Sequence, residues 1–501
     1  MKGVYRTESI RRAEKAAIAE AGEDALIERA AARLYDRIKA LPQKRVVVFA
    51  GGGNNGSDAL SLARLLIDDG QKCKIYLFGE KRNGFVSARI SSLSALGADM
   101  TAPESGSDID VTDGDIVIDG MLGIGCSRPL AGLMAEAAEK INASGAYVVA
   151  VDIPSGLDSD TGIPYGVCVN ADETATFIAV KQGLLIGTAR SYCGKIRLYD
   201  IDVPVGEPDF YVAEESDLRL PPRKVVSNKG TYGNVRIIAG SPTMIGASML
   251  AHESASAALR GGAGYAVLCV PRSLASVYQA RVKEEMLYFM PDEGGKAIYD
   301  ESALDDIMRK ADSVVIGMGM GSNPYLPEMI WYLARSFGGT LVIDGDGLNA
   351  LASDLSVVTG HKCRLILTPH VVEFARLCKG AGGVADMPDT DKTAYLAEKL
   401  NAVISMKSAT TVISDGKKTF INLTGTPAMA KAGSGDVLGG LTGALAAKGD
   451  PLMSAVRACF FFGKAGEAAE KDRGETSVLA SDIIIKFSDV LPDREVLVST
   501  R

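Results

Sequence analysis

Zinc signatures and a disulfide framework are both missing from this 501-residue chain. The eight cysteines (Cys73, Cys126, Cys168, Cys193, Cys269, Cys363, Cys378 and Cys459) form no C-x-x-C pair, and the three histidines (His252, His361 and His370) form no H-E-x-x-H. No segment runs about 18 apolar residues, so a membrane-spanning helix is not expected. The N-terminal stretch through Leu34 has a helical period, charges throughout and no apolar h-region, so neither is a secretory signal. The expectation is a cytoplasmic protein with no membrane partner, in which the triplets beginning at Asn142 and Asn422 carry no weight as glycosylation sites. Clustered positive charge is lacking too: the net charge is −8, whereas an extended nucleic-acid surface needs Lys and Arg to neutralise phosphates. No nucleic-acid partner is expected.

What is present is an α/β composition. With 55 glycines, 47% hydrophobic and 23% charged residues, the chain reads as globular and rich in tight turns rather than disordered. At roughly 150 residues per domain its length gives two to three domains, and two large ones fit best. Short β-branched runs alternate with helical stretches at Arg45 to Ala50, Lys74 to Phe78, Ile116 to Ile118, Tyr147 to Val151 and Thr174 to Ala179. This predicts a parallel sheet with helices on both faces, a Rossmann-like three-layer domain. Around Val205 to Asn228 the text turns to mixed charge with Pro204, Pro208, Pro221 and Pro222, which sets domains of 1–214 and 215–501. The alternation resumes at Asn234 to Ala239, Tyr265 to Val270, Ser313 to Ile316, Thr340 to Ile343, Leu365 to Leu367 and Thr410 to Ser414. No fixed-period repeat is visible, so two distinct α/β domains are expected rather than a solenoid.

In parallel sheets ligands gather at the carboxyl ends of strands, so the chemistry is sought just after each run. After the first run comes Gly51-Gly52-Gly53-Asn54-Asn55-Gly56-Ser57-Asp58, then a helical stretch. This loop has neither the G-x-G-x-x-G order nor the G-K-[ST] of a P-loop. Its amides can still cradle phosphate, and Asn54 and Asn55 can hold a ribose, a base or a cation; a structural turn capped by Asn55 is the plainer reading. Asp119 and Asp152 each end a strand beside glycines. Oxygens of Asn55, Asp119 and Ser155 suit a hard cation, and Asp152 can contact ligand hydroxyls.

In the second domain, Gly240 to Ala247 and Gly317 to Gly321 supply flexible strand ends, and Asp344 to Asn349 resembles a calcium loop only superficially, since Ser353 falls near the position where the loop requires an acid. His370 can donate to a ligand oxygen and Lys407 can neutralise a phosphate. The segment Ala432-Gly433-Ser434-Gly435-Asp436 stands where a loop enters a small-residue helix, which reads either as a tight turn followed by an N-cap Asp or as an anion nest with a carboxylate attached. Such a nest suits a polyphosphate, and Asp436 beside it is placed to take a proton from an attacking hydroxyl.

GGGNNGSDAL, DGMLGIGCSRPL and VDIPSGLDSDTG, in this order, resemble the YjeF N-terminal domain, an NAD(P)H-hydrate epimerase. KGTYGNVRIIAGS, LVIDGDGLNAL, LTPHVVEFARL, MKSATTVISDG and AKAGSGDVLGGL resemble the YjeF C-terminal domain, an ADP-dependent NAD(P)H-hydrate dehydratase of ribokinase-like fold. The resemblance implies potassium ligands at Asn55, Asp119 and Ser155. It implies hydrate-binding positions at Asn54, Asn55, Gly56, Ser57 and Asp58, at Gly123, Ile124, Gly125, Cys126, Ser127, Arg128 and Pro129, and at Asp152. In the second domain it implies hydrate contacts at Gly246, Gly321, His370, Val371, Val372, Glu373, Phe374, Ala375, Arg376 and Asp436. The ADP segments would be Lys407, Ser408, Ala409, Thr410 and Thr411, then Thr426, Pro427, Ala428, Met429, Ala430, Lys431, Ala432, Gly433, Ser434 and Gly435. Asp436 and Asp152 are the expected catalytic residues, and Lys181 aligns with a lysine common after the following strand.

The implied cofactors are ADP as consumed phosphoryl donor, Mg2+ and K+; the implied substrates are the NADH and NADPH hydrates, NADHX and NADPHX, and a homo-oligomer is expected. The sequence departs from the family pattern at Ser57 and Ala59, where glycines are usual, at Ile124, at Val371 and Val372, where Pro and Gly are common, and at Gly439. A lost glycine can restrict the approach of backbone to ligand. The alternative is a ribokinase-type small-molecule kinase carrying a non-catalytic N-terminal nucleotide-binding module.

Overall fold

The computed structural model describes residues 1–242, 245–382, 384 and 387–491, with backbone alone for 245–251. Thr243 and Met244 therefore lie outside the described residues, and of Gly246 only its place in the helix Ile245–Arg260 is described. The chain forms two compact units, Gly3–Tyr211 and Val212–Arg501 with Met1–Lys2. No helix among the described residues is long and apolar enough to cross a membrane.

The first unit is built on a seven-stranded sheet in the order Asp99–Thr101, Cys73–Leu77, Val46–Ala50, Ile116–Gly120, Tyr147–Val151, Glu173–Phe177, Lys195–Tyr199, parallel throughout. Strands buried on both faces read as continuous apolar runs, which is why VVVFA shows no polar alternation. Val46 and Val48 join Leu26, Leu34 and Leu60 in one core cluster, whereas Val47 and Phe49 join Ala137 and Ile141 in another. That is the three-layer arrangement. From Val46–Ala50 the chain builds outward to one side, then returns to place Ile116–Gly120 on the other. The crevice between these two strand ends is the topological switch point.

The second unit has seven parallel strands in the order Met286–Met290, Tyr265–Pro271, Asn234–Ile238, Ser313–Ile316, Thr340–Ile343, Arg364–Leu367, Val403–Met406, extended by antiparallel Thr411–Ser414 and Thr419–Asn422. The sequence runs did not point to Met286–Met290, Val403–Met406 or Thr419–Asn422.

The helix Ser434–Ala446 packs on the centre of this sheet and against Ile245–Arg260 through its glycines. A Cβ on Gly440 would stand 2.0 Å from the Ser254 carbonyl oxygen. Gly440→Ala gains about 1 kcal/mol in helix propensity, but overpacking against a backbone atom costs about 1–3 kcal/mol because no side chain can swing away. A melting temperature lower by a few degrees is the expected result, read by thermal denaturation.

Candidate active sites

The first site opens at the switch point as a cavity of about 470 Å³. The loop after Val46–Ala50 brings Asn54, Asn55 and Asp58, the loop after Ile116–Gly120 brings Gly123, Ile124 and Gly125, and Asp152, Phe177 and Lys181 close the far side. Asp152 has φ 66°. Its Oδ1 accepts from the buried Lys181 ammonium, from Thr176 Oγ1 at 3.1 Å and from Phe177 N at 3.2 Å. Lys181 also donates to Thr176 Oγ1 at 2.9 Å and Phe177 O at 3.0 Å, so both members of this ion pair are fixed.

Asn55, Asp119 and Ser155 are brought together beneath the cavity. Ser155 Oγ donates to Asp119 Oδ1 at 2.6 Å, Ser155 N to Asp119 Oδ2 at 2.8 Å, and Asn55 Nδ2 to the Leu122 carbonyl at 2.9 Å. The bare Cα of Gly123 leaves room for the Asn55 amide, whose Oδ1 would lie 3.2 Å from a Cβ there. Burial raises the Asp119 carboxyl to about 6 against the hydrogen bonds from Ser155 and Met121, which lower it. Burial first, then Asp152 and Glu14, pushes Asp58 well above the usual carboxylate range.

The structure does not bring Gly56, Ser57, Cys126, Ser127, Arg128 or Pro129 to the cavity wall. Ser57 is fully buried on the inner face of the helix Asn54–Asp68, and its Oγ turns back toward the Gly53 carbonyl at 3.4 Å. Ala59 lies against Gly120, so both departures from glycine face the protein interior and leave the cavity its full width. Cys126 is buried, while Ser127, Arg128 and Pro129 are exposed beyond the rim.

The second site lies along the carboxyl edge of the second sheet. Asp344 follows Thr340–Ile343, His370 follows Arg364–Leu367 and Lys407 follows Val403–Met406, so three adjacent strand ends deliver them side by side. Lys407 Nζ donates to Asp344 Oδ1 at 2.8 Å. A bridge between His370 and Lys407 and a bond from Lys407 N to Pro369 O, 2.7 Å, tie the neighbouring strand ends. Asp346 starts the helix Asp346–Ser353 and accepts from Gly321 N at 2.6 Å. Glu373 caps the helix Val371–Ala381 by accepting from His370 N at 2.9 Å.

Gly433, at φ 90°, turns the chain into Ser434–Ala446 and sets Asp436 in the first helical turn. There Gly435 passes so close that a Cβ on it would meet Lys407 Nζ at 3.5 Å. Burial, then the Asp344 charge, raises the Asp436 carboxyl to about 7, with Lys407 opposing. Burial likewise raises Glu373 to about 6. Burial also works against the Lys407 charge, yet Asp344, Glu373 and Asp436 hold its pKa above the ordinary value. Burial and Lys407 lower His370, whose Nδ1 accepts from Val372 N at 3.1 Å, which places the ring proton on Nε2.

Within the segment His370 to Arg376, Phe374 turns into the core at 4% exposure, Val371, Val372 and Ala375 are exposed, and Arg376 Nη1 donates to Asn349 Oδ1 at 2.6 Å. In the turn after Lys407, Ser408 Oγ donates to Thr410 O at 2.6 Å, Ala409 is exposed and Thr410 is buried, while Thr411 opens the next strand. Thr426 Oγ1 accepts from Ala428 N at 3.3 Å over the short turn Pro427–Met429. Pro427, Ala430, Lys431 and Ala432 are exposed, and Ser434 is buried at the helix start.

The family model described as NAD(P)H-hydrate dehydratase matches residues 235–488, and the YjeF-related protein N-terminus matches 23–183. The bifunctional NAD(P)H-hydrate repair enzyme of Moorella thermoacetica is 33% identical over 500 residues, covering 95% of this chain and 93% of its own. The chain belongs to the bifunctional NAD(P)H-hydrate repair enzymes. The corresponding enzyme of Thermofilum pendens is 34% identical over 470 residues, covering 90% of this chain and 89% of its own. Among solved structures, the ADP/ATP-dependent NAD(P)H-hydrate dehydratase of Bacillus subtilis is 24% identical, covering 56% of this chain and 98% of its own, at a TM-score of 0.47.

Three carboxylates at these sites carry little signal as site residues in the sequence of this repair enzyme. Asp344 and Asp346 stand in the loop that resembles a calcium loop only superficially, although the strand end before them is a usable signal. Glu14, on the helix Thr7–Ala21, lines the first cavity and carried no local signal at all.

Proposed function

We propose that the second unit dehydrates the S hydrates of NADH and NADPH at the expense of ADP, and that the first interconverts the R and S forms so that both are repaired. The observation that carries this is Asp436: a carboxyl near neutrality in its pKa, in the first turn of a glycine-led helix whose Gly435 closely approaches Lys407, and within range of the Lys407 charge. Hydroxide leaves poorly from C6 of a hydrated nicotinamide, and phosphorylation of that hydroxyl makes it a good leaving group. Asp436 takes the hydroxyl proton as the oxygen attacks the terminal phosphoryl group of ADP, the bond to the bridging oxygen breaks and AMP leaves. The first-turn amides and Lys407 hold the charge that develops on the phosphoryl oxygens, and the ester then loses phosphate from C6 and a proton from C5, which restores the C5=C6 bond of NAD(P)H. The segments Lys407 to Thr411 and Thr426 to Gly435 hold the nucleotide in this reading, with Gly246, Gly321 and His370 on the hydrate side.

Asp344 and Asp346 lie near enough to Glu373 to raise its carboxyl, but no three such side chains among the described residues form a ready metal cluster; Mg2+ would instead be held by Asp344 or Asp346 together with the nucleotide phosphates, whose charge it would offset. In the first unit Asn55, Asp119 and Ser155 fit K+. A buried carboxyl at about 6, with no cationic side chain among the described residues bonded to it, is one that a cation would hold ionised. Asp152, fixed by Lys181, is the base of the epimerase site, and Asn54, Asp58 and Gly123 to Gly125 contact the hydrate. We place the enzyme in the cytoplasm as a homo-oligomer.

The test is an assay of separated S and R hydrates with ADP and with ATP, in K+ and in a K+-free buffer. Phosphate release with return of the NAD(P)H absorbance is expected from S alone in the second site, and from R only as fast as K+-dependent epimerisation feeds it. A stable phosphorylated product would instead mark a small-molecule kinase, and an R hydrate that never converts would leave the first unit a binding module.

A further inference from the structure

The helix Thr7–Ala21 precedes the residues matched by the N-terminal family model, yet it forms a wall of the first cavity. It is anchored there by Thr7, whose N donates to Asp160 Oδ1 at 2.9 Å and whose Oγ1 donates to Ser159 Oγ at 2.8 Å, and by Arg11, whose Nη2 donates to the Ile124 carbonyl at 2.9 Å. Ile10, Glu14 and Ile18 follow at four-residue intervals and share the cavity face, while Glu8, Arg12 and Lys15 are exposed. An apolar residue would ordinarily stand between Ile10 and Ile18. Instead a carboxyl does, and no hydrogen bond or ion pair among the described residues engages it. A half-buried carboxyl without a partner costs stability, so its place on this face calls for a use. It shares the cavity with Asp58, Asp152 and Lys181, with Glu23 from the next helix and Arg11 from its own.

We propose that Glu14 is a second catalytic residue of the epimerase site, the general acid that delivers a proton to the C6 hydroxyl of the hydrate. This rests on the epimerase reading of the first unit. C6 carries both the hydroxyl and the ring nitrogen N1. As the Glu14 proton passes to the hydroxyl oxygen, the C6–O bond breaks, water leaves, and the N1 lone pair closes a C6=N1 double bond, making C6 planar. Water then adds to the opposite face and gives its extra proton to Asp152, and that proton returns through solvent to Glu14. Nothing is consumed; only the configuration at C6 changes. Burial and the facing Asp152 raise the Glu14 pKa, with Lys181 and Arg11 opposing, and so favour the protonated form that an acid needs. Asp152, bound to Lys181, is held as the complementary base.

The experiment follows R-to-S exchange by chromatography in the full chain. Glu14→Gln is expected to slow exchange about 10²-fold, the lower end for general acid catalysis because Asp58 remains, whereas the exposed Glu8→Gln retains the wild-type rate. Wild-type exchange falls as pH rises through the Glu14 titration, and this limb is lost in Glu14→Gln. Glu14→Asp keeps the limb at a reduced rate, which covers the case in which Glu14→Gln fails to fold. Isotopically labelled water appears in the C6 hydroxyl as the epimers exchange. A folded Glu14→Gln, or a Glu14→Asp, with wild-type rate and pH profile would overturn the proposal, as would exchange without label uptake. A wild-type chain that exchanges no epimers fails the epimerase reading itself, a result distinct from any effect of Glu14.

Discussion

Asp436→Asn is expected to lower kcat for ADP-dependent dehydration of the S hydrate by roughly 10² to 10⁴ while leaving the fold intact, because the change keeps the side-chain shape and removes only its ability to accept a proton. The effect falls on kcat rather than on KM for ADP, since the amides proposed to hold the nucleotide belong to the backbone around Gly433 and Gly435. The pH profile gives a second reading. With the Asp436 carboxyl at about 7, a base that must be ionised makes kcat rise as pH rises through about 7 and level off above it. Asp436→Asn loses that limb. Steady-state kinetics across pH, with thermal melts of both proteins, checks this; near-normal turnover in a folded Asp436→Asn chain would remove the residue from the chemistry.

The next largest expected effect is at Lys407. Lys407→Met takes away the charge proposed to stabilise the phosphoryl oxygens, and removal of one such stabilising donor costs roughly 10² to 10³ in rate. It also removes the cation that opposes the upward shift of Asp436, so the acid limb of any residual activity moves to higher pH. A stability effect accompanies this. Asp344 is 3% exposed, and the loss of its partner at 2.8 Å leaves a buried acceptor unmet, at a cost of about 1–3 kcal/mol. The double change Lys407→Met with Asp344→Asn reads the structural role, through a recovered melting temperature. Because Asp344 is itself a proposed Mg2+ donor, the catalytic role is read on Lys407→Met alone, and near-normal turnover there would leave Lys407 a structural counter-ion.

The parallel strands were legible because burial on both faces forces continuous apolar runs such as VVVFA and TLVI, bounded by glycine turns. Val403–Met406 escaped the same reading, although it carries Lys407. Its serine stands inside the run, whereas that of SVVI stands at the start, and only the left-handed Asn401 and Ala402 separate it from the helix Asp389–Leu400, so no apolar run stands clear of the helix. Lys195–Tyr199 escaped for a different reason: as an edge strand it is half exposed and charged. The AGSGD loop could be read either as an anion nest or as an ordinary turn with an Asp at the helix start, since glycine and an acid serve both; only the neighbouring motifs favoured the nest. Ser57 and Ala59 show the limit of that logic. Their types were visible, but whether they narrowed the ligand space depended on which side of a helix faced the sheet. Glu14 lay among charges on every side in the text, and only the docking of its helix singles it out.

Asp152 meets two independent filters. Its φ of 66° disfavours most L-residues, with Asn, Asp and Gly the tolerant set. Its contact with Lys181 demands a negative charge. Glutamate passes the second filter and fails the first; asparagine and glycine pass the first and fail the second. One letter of the alphabet satisfies both, so the familiar Asp-to-Glu exchange is a drastic change here. Retuning this cavity for a different hydrated ring would have to proceed through its more permissive walls, while this corner stays as it is.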